Sequence, residues 1–352
     1  MDTQLSKIVR PLLDWYDANA RVLPWRDNPT PYRVWVSEIM LQQTRVEAVK
    51  PYFERFTAAL PDLAALAGVP EEQLLKLWEG LGYYSRVRNL QKAAQIIMEQ
   101  YGGILPQQPE ELLRLPGIGE YTAGAIASIA YGKPAPAVDG NVLRVLSRVT
   151  ASRENIGELS VKRGFAAQLR EIYPAGRAGA FTQSLMELGA IVCLPNSAPK
   201  CADCPLCGLC AAHAQGNEQE LPVKTEKKKR KIEEKTVFLI LCGSTAAIRK
   251  RPKKGLLAGL WEFPNVTGSL SSQDAEEWLK TLGISSAKID PLPVAKHIFT
   301  HIEWHMINYR ATVGNTVPDG GLIWVECREL IESYTIPAAF QSCMQQFAAA
   351  CS

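Results

Sequence analysis

The chain has no apolar run approaching the roughly 20 residues of a membrane-spanning helix, which argues against a membrane span. Its first residues, Met1-Asp2-Thr3-Gln4, lack the basic segment and apolar run of a secretory leader. Internal repeats are absent, so a solenoid is not expected. No strong excess of one charge exists either: the net charge of +3 permits a nucleic-acid partner without requiring one. What the chain does have is size. Its 352 residues, 47% of them apolar, exceed one comfortable core and point to a soluble globular protein of two domains.

Cysteine is plentiful and unevenly placed. Five of the nine cysteines lie between Cys193 and Cys210, and Cys201, Cys204, Cys207 and Cys210 fall every third residue. Such spacing turns thiolates toward one small volume, as a soft metal centre requires. A 4Fe–4S cluster takes four cysteine thiolates and is the favoured occupant. Zinc comes second, because its four-cysteine sites more often pair two distant C-x2-C elements, and no second distant pair exists here. Disulfides fit badly, given an odd count in a large chain without a leader. Ligating thiols also imply a reducing compartment.

Residues 224–235, KTEKKKRKIEEK, hold seven basic and three acidic side chains and read as a solvated linker. Ahead of them, residues 5–18, 31–56, 71–81, 86–100, 120–131 and 142–148 carry apolar residues at helical spacing. Behind them, residues 236–242, 246–249, 297–309 and 322–325 suggest strands, and 274–282 and 337–350 suggest helices.

Between two helical patterns stands Leu115-Pro116-Gly117-Ile118-Gly119. Gly117 and Gly119 permit a tight turn whose N–H groups suit a phosphate, although a plain helix connector fits equally. Some twenty residues on, Asp139 or Asn141 precedes an apolar helix, and each alone reads as an N-cap. Glu38 shares a helical face with Val34, Trp35 and Leu41, so its carboxyl is desolvated and its protonated form favoured, the requirement of a general acid at neutral pH.

Hairpin, aspartate and cysteine group together resemble the helix-hairpin-helix DNA glycosylase superfamily. Within it, Leu23-Pro24-Trp25-Arg26, Val36-Ser37-Glu38-Ile39-Met40-Leu41-Gln42-Gln43-Thr44 and Gly80-Leu81-Gly82-Tyr83-Tyr84-Ser85-Arg86 are similar to the MutY family of adenine DNA glycosylases. The resemblance covers nearly the whole chain. It implies an all-α helix-hairpin-helix domain with an iron–sulfur subdomain over residues 1–222, a basic linker over 223–235, and an α/β MutT-like, Nudix-fold domain over 236–352. The implied reaction is hydrolysis of the N-glycosidic bond of adenine mispaired with 8-oxoguanine or guanine in duplex DNA, leaving an abasic site. The family spaces its ligands C-x6-C-x2-C-x5-C, which maps them onto Cys193, Cys201, Cys204 and Cys210. Here the first gap holds seven residues and Cys207 is extra, able to substitute for one of them.

The resemblance also distributes roles. Glu38 protonates adenine N7, and Asp139 stabilises or attacks the oxocarbenium ion, as carboxylates do in glycoside hydrolysis. Tyr121 and Asn141 support Asp139 by hydrogen bonding. Arg26 and Gln183 flank the flipped adenine, with Trp25 and Leu41 as pocket walls. Gln43 and Tyr83 wedge into the duplex, while Gly117 and Gly119 meet phosphate. Endonuclease III, similar in fold, has a lysine nucleophile where Tyr121 stands, so a glycosylase without efficient lyase activity is implied. In the second domain, Phe299, Thr300 and His301 look like the loop that reads 8-oxoguanine, with threonine where the family commonly has serine. Glu276-Glu277 is a remnant of the Nudix acidic helix, so nucleotide hydrolysis is not expected. The expected protein is a monomer of the bacterial cytoplasm. An endonuclease III-like lyase and a catalytically silent DNA-binding module are the competing readings.

Overall fold

The computed structural model describes residues 4–195, 197–225, 229–317 and 321–350. The chain forms two compact units: Met1–Val69 with Ser85–Glu226, and Pro70–Tyr84 with Lys227–Ser352.

The first unit is helical. In chain order come α1 (Val9–Asn19), α2 (Pro31–Leu41), α3 (Val46–Ala59) and α4 (Leu63–Gly68); α5 (Glu71–Leu77) belongs to the second unit. Then follow α6 (Ser85–Gln100), α7 (Pro109–Leu112), α8 (Glu120–Ala125), α9 (Gly140–Val149), α10 (Leu159–Arg170), α11 (Ala178–Ile191) and α12 (Ala211–Gln215). Thr30 starts α2 by accepting a bond from Arg33 N at 3.3 Å, with Pro31 in the first turn. The single helical stretch expected over 31–56 is two helices. Arg86 Nη1 donates to the carbonyls of Ile39, Met40 and Gln42 at 2.8, 3.2 and 2.6 Å, which closes α2. Gln43 then turns away with φ of 59°. The stretch expected over 120–131 also divides, as α8 runs into a π-turn at Ile126–Ala130.

The expected periodicity missed α10 and α11. In α11 the residues Phe181, Thr182, Ser184, Leu185, Glu187 and Leu188 are all buried, so no polar stripe marks it in sequence. Helices α1, α9, α10 and α11 share one core, including Leu12, Leu146, Phe165, Phe181 and Leu188. Leu206 of the cysteine loop is part of that core, and Cys193 and Cys204 pack against it.

The second unit carries a sheet. Its strands are β1 (Lys231–Cys242), β2 (Thr245–Lys250), β3 (Trp261–Glu262), β4 (Asn265–Thr267), β5 (Lys288–Ile298), β6 (Ile302–Thr312) and β7 (Ile323–Glu326), ordered β3-β2-β1-β6-β5, with β4 on β1 and β7 on β2. Both faces are covered. Val237, Leu239 and Leu241 face a cluster with Phe340 and Phe347, while Phe238 and Ile240 face one with Ala275 and Leu279 of α13 (Ser272–Thr281). That two-sided burial explains the unbroken apolar run of β1. The strand expected from residue 236 begins five residues earlier. Residues 231–241 pair in parallel with 302–312, so the last five residues of the expected linker, 231–235, are sheet. Residues 226–228 of the linker lie outside the described residues. The strand expected over 297–309 is a hairpin: β5 ends at Ile298, and Phe299 N donates to Ile302 O at 2.8 Å across the turn. Two more helices, α14 (Cys327–Ser333) and α15 (Gln341–Ala350), complete the unit.

Gly124 joins this architecture to the site. A Cβ there would collide with the backbone carbonyl of Pro136, on the segment that leads to Asp139. Gly124→Ala should therefore cost about 1–3 kcal/mol, the range for overpacking. A thermal melt unchanged from wild type would show that this segment can yield.

Candidate active site

A cleft of about 890 Å³ opens in the first unit. Helix α2 brings Glu38 and Leu41 to it, α8 brings Tyr121, and the start of α9 brings Asp139 and Asn141. Trp25, Arg26, Gln43, Gly119 and Gln183 also line it. Ten side chains or turns anticipated from sequence thus converge on one place. Gly117 does not. It lines a separate cavity of about 100 Å³ with Trp35 and Asn89, where its φ of 78° and an Asn89 Cβ 2.8 Å from any added Cβ both require glycine.

Glu38 is only 6% exposed. Burial pushes its carboxyl up from 4.5 to about 7; the Tyr121 bond opposes the shift, the Asp139 charge adds to it, and the Arg26 charge opposes it. Tyr121 donates its hydroxyl to Glu38 Oε2, whereas the expectation had it support Asp139. The reason is reach: α2 and α8 lie side by side, and the Asp139 oxygens already have other donors. Burial, then the Glu38 and Asp139 charges, hold the Tyr121 phenol well above its ordinary value.

Asp139 is the N-cap of α9, so the bland reading and the functional one describe the same residue. Its Oδ1 accepts from Asn141 N at 2.8 Å and Val142 N at 2.7 Å, and its Oδ2 from Asn141 Nδ2 at 2.7 Å. Burial raises its pKa, and these N–H groups with the nearby Arg144 charge pull back toward the carboxylate. The two carboxyls therefore differ: Glu38 faces apolar walls and one hydroxyl, Asp139 faces three N–H donors.

Behind the site, Arg144 donates from Nη2 to Asn141 Oδ1 at 2.9 Å and from Nε to the Cys193 carbonyl at 2.7 Å. Arg148, one turn on, donates from Nη1 to Cys193 Sγ at 3.1 Å. Neither arginine was singled out in the sequence, nor was Glu187. The Glu187 carboxylate is buried, accepts from Arg21 at 2.6 and 3.0 Å and from Arg26 at 2.8 Å, and sits at about 2. Burial would raise that value, and the two arginines overcome it. Arg26 also donates to Gln183 at 3.0 Å, one turn before Glu187 on α11. The spacing of Gln183 and Glu187, four apart, was the signal available.

The cysteine loop fits a soft, cationic centre. Burial raises the Cys204 thiol to about 12, with Cys193, Cys210 and Cys201 adding to it, and burial raises the Cys201 thiol to about 11, with Glu218, Cys210 and Cys207 adding to it, so all five thiols of the loop sense one another. Bare thiolates so arranged repel one another, and a bound metal removes that repulsion. Cys201, His213 and Glu218 also place their donor atoms together.

In the second unit Phe299 packs edge-on against Trp304 at 4.9 Å and His297 at 4.6 Å, leaving Thr300 and His301 exposed at the turn. The Tyr83 and Thr300 hydroxyls are 2.9 Å apart within this unit. Tyr83 is 46% exposed with φ of 48°, and Gln43 in the first unit has the same rare backbone sign, a strain found at ligand-facing turns. Glu262 is held by Arg251, by Arg249 at 2.9 Å and by Asn265 at 2.7 Å, and Glu277 by Lys280 at 2.6 Å.

Residues 36–171 match the HhH-GPD superfamily of base excision DNA repair proteins, and residues 236–346 match the NUDIX domain. The adenine DNA glycosylase of Rattus norvegicus is 35% identical over 94% of this chain and 77% of its own length. That of Buchnera aphidicola subsp. Schizaphis graminum is 36% identical over 84% of this chain and 85% of its own. The chain spans about half (48%) of the Arabidopsis thaliana relative. Among solved structures, a thermostable thymine-DNA glycosylase is similar with TM-score 0.55 and 27% identity over 60% of this chain and 97% of that one. A non-covalent endonuclease III–DNA complex has TM-score 0.51 and 26% identity over 61% and 99%. Among the described residues no helix is long and apolar enough to cross a membrane.

The Glu38 environment has a stability consequence. Between pH 4.5 and about 7 the folded protein keeps a proton that the unfolded chain has released. Stability therefore falls as pH rises through that window and stays lower above it. Glu38→Gln removes this loss while keeping an acceptor for Tyr121. It should raise the melting temperature at pH 8 and leave it nearly unchanged at pH 4.5. Equal melting of the two proteins at pH 8 would mean that Glu38 is not destabilised by ionising.

Proposed function

The chain belongs to the adenine DNA glycosylases, base excision repair enzymes of the HhH-GPD superfamily, and from that premise we propose that it removes adenine paired with 8-oxoguanine or guanine. The observation that carries the reading is the pair of unlike carboxyls in one cleft: Glu38 raised to about 7 and Asp139 bonded by three N–H groups. Two carboxyls in such unlike surroundings, one beside a single hydroxyl and the other held by three N–H donors, can divide the labour of glycoside hydrolysis.

The base must leave the stack to reach the cleft. Arg26, with Gln183 and Glu187, presents fixed polar groups to its edge, and Trp25 and Leu41 wall the pocket. Gln43 and Tyr83 fill the space left in the duplex, and Gly117 and Gly119 turn backbone N–H groups toward a phosphate. Glu38 gives its proton to adenine N7. The bond between C1′ and N9 breaks, its electron pair leaves with the base, and the sugar becomes an oxocarbenium ion. Asp139 stabilises that cation or bonds to it, held in place by Asn141. Water then supplies the oxygen on C1′, and its proton restores Glu38. Tyr121 orients Glu38 and offers no amine, so strand cleavage by an endonuclease III-like route is not part of the cycle.

One 4Fe–4S cluster would be held by Cys193, Cys201, Cys204 and Cys210, with Arg148 placing positive charge beside Cys193 Sγ. When bound, such a cluster would supply iron–sulfur bonds that tie the cysteine loop together. In the second unit Phe299, Thr300 and His301 read the opposite base, with Tyr83 bonded to Thr300. The carboxylates of Glu262 and Glu277 have basic partners, consistent with recognition rather than nucleotide hydrolysis. We read the protein as a monomer in the reducing bacterial cytoplasm.

Glu38→Gln should lower single-turnover adenine removal by at least ~10²–10⁴-fold while duplex affinity, dominated by phosphate contacts, persists. The substrate is a duplex with one A:8-oxoguanine pair, and scission is expected only after alkali. Cleavage without alkali would favour the lyase, and near-normal release by the variant would discard Glu38 as the acid. Thr300→Ala and His301→Ala should narrow the preference for A:8-oxoguanine over A:G by about 1–3 kcal/mol per lost base contact. An unchanged ratio of rates and affinities would assign the turn to folding alone.

A further inference from the structure

The first residues of the basic linker are part of the cleft wall. Lys224 and Thr225 line the same cavity as Glu38 and Asp139, together with Lys162 of α10. Three bonds hold the segment there. Ile156 N donates to Val223 O at 3.1 Å, Thr225 N donates to Asn155 Oδ1 at 3.3 Å, and Asn155 Nδ2 donates to Thr225 Oγ1 at 2.5 Å. The same Asn155 Oδ1 accepts from Gly157 N at 3.0 Å, so the turn that leads into α10 and the segment 223–225 share one anchor. All of these residues belong to the first unit. A charge run expected as a solvated linker thus begins as a fixed edge of the site.

The other cations around the cleft are committed. Glu187 holds Arg21 and Arg26, Glu120 holds Arg163 at 2.9 Å, and Arg144 donates to Asn141 and to the Cys193 carbonyl. Lys162 makes no ion pair among the described residues. A nucleotide turned out of its stack brings its two flanking phosphates to the mouth of the pocket that takes its base. Asp139 and Glu187 add negative charge to that pocket, so phosphates arriving there need cations to offset the repulsion. Lys162 and Lys224 are the primary amines of the lining.

We propose that Lys162 and Lys224 clamp the two DNA phosphates that flank the extruded nucleotide. The proposal rests on the reading that this cleft takes such a nucleotide, and it adds the groups that hold the nucleotide's backbone. Pinning through Asn155 fixes the backbone of the segment before DNA arrives, so little ordering is left for binding to offset. Lysine contacts to phosphate carry no base information, so the clamp serves extrusion and not the choice of base. It forms when the nucleotide is out. A fully paired duplex, whose bases stay stacked, does not reach it.

The test measures the affinity of the full chain for two duplexes over a series of salt concentrations. One carries 8-oxoguanine opposite an adenine nucleotide whose 2′-fluorine blocks cleavage, and the other is the same sequence fully paired. Wild type, Lys162→Ala, Lys224→Ala, the double alanine variant and Lys162→Arg/Lys224→Arg are compared. On the first duplex each single alanine should reduce the slope of log affinity against log salt by about one, and the double alanine variant by about two. On the paired duplex all slopes should stay at the wild-type value, and the double arginine variant should keep the wild-type slope on both. A double alanine variant with the wild-type slope on the first duplex would overturn the clamp. An equal loss on both duplexes would overturn it too, because the lysines would then act by general attraction. Wild type that binds the two duplexes equally would instead overturn the reading of the cleft beneath it.

Discussion

The cap on helix α9 is the constraint on which the first unit depends. Asp139 must accept from the N–H groups of Asn141 and Val142 for the helix to start, and the same contacts fix its carboxylate at the cleft. The cost of burying that carboxylate is met by bonds the helix needs in any case. Five and nine residues after Asp139, Arg144 and Arg148 leave the same helix on the side of the cysteine loop. One helix of ten residues thus faces the cleft at its start and the thiols along its length. A helix with so much of its surface buried accepts few substitutions.

Glu38 shows the opposite solution. It lies buried in the middle of α2, and the Tyr121 hydroxyl donates to its carboxylate. Its proton affinity is set by desolvation, and the protein bears the cost in stability at neutral pH. Arg26 could have cancelled the effect. Instead Glu187 binds Arg26, with Arg21 as a second cation, and the Arg26 charge is the smallest of the causes acting on Glu38. Glu187 at about 2 and Glu38 at about 7 are two glutamates of one pocket held apart by which of them has the arginines.

The second unit solves a different problem, that of presenting a short turn rigidly. Strands β5 and β6 are eleven residues each and carry the turn 299–301 on a ladder, while Phe299 is wedged between His297 and Trp304. The tip is exposed but its base is anchored, and Arg230 adds a bond to the Phe299 carbonyl at 3.1 Å. Such a turn can recognise a ligand with little ordering to be done on contact.

Local features were legible in the amino-acid order. The cysteine spacing, the glycine at 117, the cap before α9, the apolar face around Glu38 and the change from helical to strand pattern near residue 230 all depend on residues a few positions apart. Periodicity says which face of a helix is buried, and it says nothing about what that face is buried against. The Tyr121–Glu38 bond spans 83 positions, the Arg148–Cys193 contact 45, and the Arg21–Glu187 pair 166. Only the packing of α2, α8, α9 and α11 decided these partners, and with them which carboxyl is kept protonated and which is kept charged. The break in α2 at Gln42 likewise came from Arg86, more than forty residues away, taking the last carbonyls of the helix.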